Sequence, residues 1–292
     1  MSFPEQILWL YQHQPAVLLA LAMVFGLMIG SFLNVVIVRL PARLEQIDND
    51  ENEGGESAAS AAGKWFLIVP PSHCPGCGHR LPWYENIPIA SYLILGRKCS
   101  SCRAAISLRY PMVEALTGFL ALAALWHFSL SVDSIIAFGL GCLFLVIACI
   151  DLDRLMIPDV LSLPAIWLGL AASAMGIGIV PKDAIIGAVC GYGVLALINS
   201  IYALLTQRQG IGRGDWKLAA VIGAWLGPQG LTISLMGAFL LGSLAGLVLM
   251  AAFAQGRRTA VPFGPFLAGG GVIAVYFGPD LAQWYMALIM PR

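Results

Sequence analysis

Long apolar stretches alternate with short polar segments along the chain, and most of the apolar stretches approach the roughly 20 residues that a transmembrane helix requires. Eight such stretches cover approximately residues 16–38, 111–130, 134–150, 160–180, 184–206, 216–227, 231–254 and 266–289, of which the sixth is short. The pattern predicts an all-α polytopic membrane protein with about eight transmembrane helices. A polar segment, residues 39–110, separates the first helix, within residues 1–38, from a predicted seven-helix domain of residues 111–292.

The composition supports this class and excludes several others. Hydrophobic residues make up 59% of the chain and charged residues only 11%, whereas a soluble domain carries about 25% charged residues. These values exclude a soluble globule, a disordered chain, collagen and a disulfide-stapled secreted domain. The formal net charge is +0, so no overall basic field points to a nucleic-acid partner.

Basic residues fall almost entirely on one side of the predicted helices. With eight spans, fourteen of the sixteen Lys and Arg residues lie on one side, and only Lys182 and Arg292 lie on the other. Cytoplasmic loops carry the excess of Lys and Arg in membrane proteins, so we expect this side to face the cytosol and both termini to face away from it. The segments expected on the cytosolic side are residues 39–109, 151–159, 207–215 and 255–258.

The polar segment of residues 39–110 has two parts of different composition. Residues 45–63 are acidic and small and contain no aromatic side chain, so they bury too little apolar surface to offset the entropy of ordering. We expect a flexible insertion there, with an acidic docking site as the alternative. Residues 64–110 are rich in Pro, Trp, Tyr and Cys, and they predict a small ordered subdomain.

Four cysteines of this subdomain form two Cys-x-x-Cys pairs. Cys74 and Cys77 are separated by 21 residues from Cys99 and Cys102. Two such pairs can complete a tetrahedral thiolate shell, which suits a structural Zn²⁺ and leaves no open position for catalysis. A segment this short also rarely folds alone without a disulfide or a bound metal ion. The alternatives are two disulfides, against which a cytosolic location argues, and a redox-active pair.

Carboxylates lie where predicted helices meet the cytosolic interface. Asp151 ends the third apolar stretch, and Asp215 lies in a Gly-Arg-Gly-Asp turn before the sixth. Two carboxylates brought close together cannot both ionise easily, so one acts as an acid while the other polarises a water molecule. Gly212 and Gly214 would let an extended substrate approach Asp215 closely. These features predict hydrolysis by a pair of aspartates without a catalytic metal.

Each of these acids also has a plainer interpretation. A Gly-x-Gly-Asp sequence is also typical of a flexible turn with a helix-capping aspartate, and Asp151, Asp153 and Asp159 fit interface charges. A proton-relaying transporter and a non-enzymatic assembly factor are the alternative function classes. The first requires acids near the midplane of several helices, and the second requires both Asp151 and Asp215 to tolerate substitution.

Taken together, these motifs resemble those of the type IV prepilin peptidases, which are membrane aspartic proteases of the Gly-x-Gly-Asp class. The resemblance extends over about residues 15–280. The motifs that carry it are Gly30–Pro41, Trp83–Pro88, Ile106–Glu114, Asp151–Asp159, Gly212–Leu218 and Pro262–Phe266. The cysteine pairs lie between the first and third of these motifs, as they do in the family.

The resemblance implies Asp151 and Asp215 as the catalytic pair. The residues that it implies in supporting positions are Gly212, Gly214, Asp153, Asp159, Lys217 and Glu114. Lys217 lies where a cation can tune the pair, since a nearby positive charge favours carboxylate ionisation. Glu114 opens the second helix, where it either pairs with Arg109 or contacts the substrate.

The resemblance further implies the reaction. Members remove a short basic leader from type IV prepilins or type II secretion pseudopilins, after a glycine at the cytosolic face of the bacterial inner membrane. Many then methylate the new N-terminus with S-adenosylmethionine, and the tetracysteine segment goes with these bifunctional members. A peptidase without methyltransferase activity is the alternative, and the oligomeric state is left open. Many members carry a glycine two residues before the third cysteine, where this chain has Arg97.

Overall fold

The structure is a computed structural model that describes residues 13–52, 71–208, 210–252 and 262–289. The helices are α1 (Pro15–Asn52), α2 (Ala90–Ile94), α3 (Arg109–Phe128), α4 (Val132–Arg154), α5 (Asp159–Ala174), α6 (Pro181–Thr206), α7 (Arg213–Ala252) and α8 (Gly264–Ile289), with a 3-10 turn at Trp83–Asn86. The described residues form two isolated β-bridges, and they contain no β-strand. The all-α class predicted from the apolar pattern is therefore confirmed.

Six helices in the described ranges, namely α1, α3, α4, α6, α7 and α8, are long and apolar enough to cross a membrane. The difference from the expected eight has two causes. Helix α5 has only 16 residues, and the sixth and seventh predicted stretches are the two helical segments of α7, which meet at a kink and count together as one helix of 40 residues. Within α7 the backbone leaves the helical conformation at Gly227 (φ 68°, ψ −174°), directly before Pro228, a residue that cannot donate a helical hydrogen bond.

Helix α1 extends beyond the first predicted span. It was expected to end near Val38, but it continues to Asn52. The start of the predicted flexible insertion, residues 45–52, is therefore helical. Arg, Leu, Glu and Gln between residues 43 and 46 are good helix formers, and the Arg43 guanidinium donates to Gln46 Oε1 over 3.5 Å. The rest of that insertion, residues 53–63, lies outside the described residues.

The chain divides into two compact units, residues 1–142 and residues 143–292. In the first unit, α1 packs against α3 through small residues. A Cβ atom added at Gly26 would lie 2.7 Å from the carbonyl oxygen of Thr117, and one at Gly30 would lie 2.7 Å from the Cα of Glu114. Small residues at such positions let two helix backbones approach closely, which is a common way to pack helices in membranes.

In the second unit, α7 is the central helix and packs against α5, α6 and α8. Its contact with α6 is made backbone to backbone. A Cβ atom at Gly187 would collide with the carbonyl oxygen of Gly223, and one at Gly191 would collide with that of Ala219. These pairs, four residues apart on each helix, hold the beginning of α7 at a fixed place on α6, and the first turn of α7 carries Asp215.

Candidate active site and metal centre

Asp151 lies in the last turn of α4 and is buried, with 6% of its surface exposed. Its Oδ2 atom accepts a hydrogen bond of 3.1 Å from the backbone N–H of Gly264, the first residue of α8. The first amides of a helix have no partner within the helix, and they attract negative charge. A Cβ atom at Gly264 would lie 2.5 Å from the same oxygen, so a side chain there would displace the carboxyl group.

Asp215 lies in the first turn of α7 and is 8% exposed. Its carboxyl group interacts electrostatically with that of Asp151 and with the backbone N–H of Gly212. The backbone N–H of Asp215 donates in turn to the carbonyl oxygen of Gly212, over 3.1 Å. The structure therefore brings the two predicted aspartates together inside one unit, each beside the amide of a glycine.

Ile157 packs against two glycines of the aspartate site, Gly214 and Gly264. A Cβ atom at Gly214 would lie 2.8 Å from the Cβ of Ile157, and one at Gly264 would lie 3.3 Å from its Cδ1. The turn that presents Ile157 begins at Leu155, whose φ of 53° is unusual for a branched side chain. Gly214 was expected to open the site to substrate, and in this structure it makes room for Ile157.

The supporting residues Lys217 and Asp159 contact each other. Lys217 Nζ donates to Asp159 Oδ1 at 2.5 Å, which joins the start of α5 to the first turns of α7. An ion pair with an exposed carboxylate adds little to stability, so its effect is on the geometry of the turn after Asp151. Asp153 lies on the exposed side of the same helix end.

The four predicted metal ligands converge in the first unit. The Sγ atoms of Cys74 and Cys102 are 3.8 Å apart, those of Cys77 and Cys99 are 4.0 Å apart, and all four lie within 4.8 Å of one another. A tetrahedral ion with metal–sulfur bonds of about 2.3 Å, the value for zinc, separates its sulfurs by about 3.8 Å. The cluster therefore fits one four-coordinate metal ion. The separations are about twice a disulfide bond, and all four cysteines are free thiols.

The two cysteine pairs lie in turns of the same construction. In each turn, the N–H of the first cysteine donates to the carbonyl five residues later, and the N–H four residues later donates back to that cysteine. The residue at that fourth position has a positive φ in both turns, 71° at Gly78 and 62° at Arg103. The two turns therefore have the same backbone structure. The sequence does not show this repeat, because the position with positive φ, which favours glycine, is Gly78 in the first turn and Arg103 in the second.

Backbone hydrogen bonds act on the thiols of the second turn. The backbone N–H groups of Cys102 and Ser101 lower the pKa of Cys99 to about 6. At Cys102, the N–H of Ala104 acts in the same direction, but the hydrogen bond with Cys77 and desolvation outweigh it and raise the pKa to about 11. A metal ion binds the thiolate form, so binding displaces protons and the affinity falls as the pH falls.

Arg97 occupies the position where many members of the resembled family have glycine, and the backbone conformation explains that preference. Gly96 and Arg97 both have a positive φ, 59° and 66°. The N–H of Arg97 donates to the carbonyl oxygen of Tyr92 (3.0 Å), and its own carbonyl accepts from Ile106 (2.8 Å). Glycine adopts this conformation without strain, which accounts for a glycine at this position in related sequences.

Glu114 is buried in α3 of the first unit, with 8% of its surface exposed. Its Oε2 atom accepts a 2.8 Å hydrogen bond from the backbone N–H of Ile89, and Ser31 of α1 is a second partner. Ile89 precedes α2 with a φ of 60°. Glu114 therefore ties the segment that carries the cysteines to α1 and α3, and a substrate contact stays a prediction.

The sequence singles out both aspartates, the cysteines and Lys217, whose functional roles stay predictions, and it gives no role to Gly264 or Ile157, which contact the aspartate site. Gly264 lies in the Pro262–Phe266 motif, to which no role was assigned. Its position directly before Pro265 is a signal for a helix start, because proline is favoured in the first turn of a helix. Nothing in the local sequence indicates that this helix start faces Asp151.

The sequence was compared with family models and with known proteins, and it matches both. Residues 24–128 match the family model described as the bacterial peptidase A24 N-terminal domain, and residues 137–251 match the type IV leader peptidase family. Proteins named prepilin leader peptidase/N-methyltransferase from Pseudomonas aeruginosa and Pseudomonas putida are 41% and 39% identical over 243 and 242 residues. These alignments cover 82% of this chain and 83% and 84% of the two relatives.

A protein of the same name from Neisseria gonorrhoeae is 40% identical over 232 residues, which cover 78% of this chain and 81% of the relative. No solved structure was found to match the chain.

We predict that Glu114→Leu releases the cysteine segment from α3, whereas Glu114→Gln keeps most of the attachment because the amide oxygen still accepts the Ile89 N–H. A buried N–H left without an acceptor costs about 1–3 kcal/mol. Limited trypsin digestion in detergent measures the effect, since Arg97, Lys98 and Arg103 offer cleavage sites in this segment. Digestion should be faster for the leucine variant alone; equal rates for all three proteins would refute this role of Glu114.

Proposed function

The chain belongs to the type IV leader peptidase family, and on that basis we propose that it is an aspartic endopeptidase that removes the leader of type IV prepilins or type II secretion pseudopilins. The observation that carries the proposal is the convergence of the buried residues Asp151 and Asp215 in one unit, each beside a glycine amide. Cleavage after a glycine at the cytosolic membrane face is the expected specificity.

The proposed chemistry needs the two carboxyl groups in different protonation states. One carboxylate takes a proton from a water molecule, whose oxygen attacks the carbonyl carbon of the scissile peptide. The other, protonated, gives its proton to the carbonyl oxygen, which produces a tetrahedral intermediate. The first carboxyl group then gives the proton that it took from water to the leaving amine. As the C–N bond breaks, the second carboxylate takes back the proton from the hydroxyl group, so both groups regain their starting states. Electrostatic repulsion between the two buried carboxyl groups favours a state in which only one of them is ionised.

The alternative function classes fit the described residues less well. A proton-relaying transporter requires acids near the midplane of several helices, and the buried acids of the second unit, Asp151 and Asp215, lie in the last turn of α4 and the first turn of α7. An assembly factor without activity gives no reason to bury two carboxyl groups that interact electrostatically. Substitution of Asp151 and Asp215 distinguishes a peptidase from a transporter and from an assembly factor.

We also propose a second activity, methylation of the new N-terminal amine with S-adenosylmethionine as methyl donor. Support comes from the relatives, whose names include an N-methyltransferase, so a peptidase without this activity is not favoured. The methyl group would pass from the sulfonium of the donor to the uncharged amine, which then loses a proton. We assign no donor-binding residues.

The metal ion proposed for the four cysteines is a structural Zn²⁺, held by Cys74, Cys77, Cys99 and Cys102. Four thiolates complete its shell, so it would fix the fold of the segment and would not bind substrate. The distribution of Lys and Arg supports a cytosolic location for this segment and for the helix ends that carry Asp151 and Asp215. The domain boundaries at residues 38 and 110 stay predictions.

One assay tests both proposed activities. Purified protein in detergent is mixed with a prepilin and isotopically labelled S-adenosylmethionine, and mass spectrometry follows the loss of the leader and the gain of a methyl group. Asp151→Asn and Asp215→Asn should each slow cleavage by about 10²–10⁴-fold, because each removes an acid or base from the reaction. Asp133→Asn, at an exposed acid in the first turn of the helix that carries Asp151, should cleave normally.

Cleavage at the native rate by either active-site variant would contradict the aspartate pair. A cleaved product that stays unmethylated would contradict the second activity alone.

Gly264→Ala should displace the Asp151 carboxyl group, because the new Cβ atom would lie 2.5 Å from its Oδ2. Misplacement of a reacting group by about 1 Å can slow an enzyme by about 10²-fold. The matched control is Gly269→Ala in the same helix, where a Cβ atom has no neighbour within 4 Å. Initial cleavage rates should fall at least tenfold for the first variant only; similar rates for the two would refute a specific role for Gly264.

The native protein should contain one zinc ion per chain by elemental analysis. Cys99→Ser should lower the zinc content and the thermal stability of the first unit, since a structural zinc ion contributes directly to folding. Cys142→Ser is the control, because Cys142 is a buried thiol in α4 away from the cluster. Native protein purified without any bound metal would overturn the assignment.

A further inference from the structure

Asn199 is a buried polar residue in the apolar helix α6, with 6% of its surface exposed. Its side-chain Oδ1 atom accepts two hydrogen bonds, from the backbone N–H of Gly210 at 2.9 Å and from that of Ile211 at 3.0 Å. Polar side chains inside membrane helices are expensive and tend to be functional. No sequence motif includes Asn199, and the function proposed above does not use it.

The two amides that Asn199 holds belong to the loop that leads to Asp215. Helix α6 ends at Thr206 and α7 begins at Arg213, so Gly210 and Ile211 lie in the connection between them. The next residue, Gly212, contacts Asp215 through its carbonyl oxygen and through its N–H. A chain of direct contacts therefore runs from the Asn199 side chain through the loop backbone to the carboxyl group of Asp215.

Asn199 does not act as the cap of its own helix. The C-cap of α6 is Gln207, which has a left-handed conformation and donates its N–H to the carbonyl oxygen of Ala203. The side chain of Asn199 instead reaches forward to residues beyond the helix end. The ring of Tyr202, also in α6, lies beside the same loop, 3.0 Å from where a Cβ of Gly210 would stand.

From this geometry, and given the proposed proteolytic function, we propose that Asn199 is a positioning residue that holds the Gly210–Gly212 loop and thereby places Asp215 against Asp151. Glycines give the loop freedom that other residues lack, and a freely moving loop would let the Asp215 carboxyl drift from its partner. The carboxamide oxygen of Asn199 accepts hydrogen bonds from two consecutive amides and so restricts the movement of the loop. It can do so because Asn199 belongs to α6, a helix that is itself rigid. Asn199 touches no reacting atom in this role.

The test compares three variants of the full-length protein in single-turnover cleavage of a prepilin, with enzyme in saturating excess. Asn199→Leu keeps the size and removes the acceptor, and Asn199→Asp keeps an acceptor oxygen. The control is Leu195→Ala, which deletes a fully buried side chain one turn earlier in α6 and removes no hydrogen-bond acceptor. Under saturating enzyme, the rate constant reports chemistry, whereas a partly unfolded preparation only shifts the enzyme concentration needed for saturation.

The rate constant should fall about tenfold to a hundredfold for Asn199→Leu, recover substantially for Asn199→Asp, and stay near the native value for Leu195→Ala. Should the aspartate variant not accumulate, the comparison of Asn199→Leu with Leu195→Ala decides by itself. A native rate constant for Asn199→Leu, or an equal loss for Leu195→Ala, would overturn the proposal. If the native protein does not cleave the prepilin, the proposed function is refuted. A second measurement, hydrogen exchange, then still tests the role of Asn199.

The second measurement is hydrogen exchange of peptides that contain Gly210 and Ile211. Both amides should exchange slowly in the native protein and in Asp215→Asn, and fast in Asn199→Leu, with the rest of α6 unchanged. Fast exchange at these amides in the native protein would show that the hydrogen bonds are not held, and it would refute the positioning role independently of any activity.

Discussion

The second unit depends on one constraint: two carboxyl groups from different helices must stay buried and close together. Burial removes each carboxyl from water, and closeness sets their charges against each other, so the arrangement is unfavourable unless fixed donors compensate for it. The donors that the structure supplies to Asp151 and Asp215 are backbone amides of Gly264 and Gly212. An amide bound into the backbone cannot rotate away as a side chain can, so the same contacts that stabilise the pair also orient it.

The use of backbone donors explains why glycines surround the site. Gly264 has no room for a side chain beside Asp151, and Gly214 has none beside Ile157. The glycines of α6 and α7 act at a larger scale, because they let the two helix backbones touch and so set where α7 begins. Substrate access was the reason first suggested for Gly214, whereas packing is the reason that the structure supplies.

The sequence predicts the parts of the molecule whose signal is local. Apolar length predicts helices, paired cysteine spacing predicts the ligand cluster, and charged residues at the ends of apolar stretches indicate Asp151 and Asp215. The parts that it does not predict depend on contacts between distant residues. Nothing near Asn199 shows that its oxygen meets the Gly210 amide, and nothing near Gly264 shows that its amide meets Asp151. The continuation of α1 to Asn52 is missed for another reason, since acidic composition was given more weight than the helix propensity of the same residues.

The two polar constellations are each complete within one unit. All four cysteines, Glu114 and its partners Ile89 and Ser31 belong to residues 1–142, while both aspartates, their glycine donors and Asn199 belong to residues 143–292. A site whose ligands come from one compact unit keeps its geometry as long as that unit stays folded. The cysteine cluster therefore takes no ligand from the aspartate pair, and the pair takes no hydrogen-bond donor from the cluster. Each of the two sites can therefore change without removing a ligand or hydrogen-bond donor of the other.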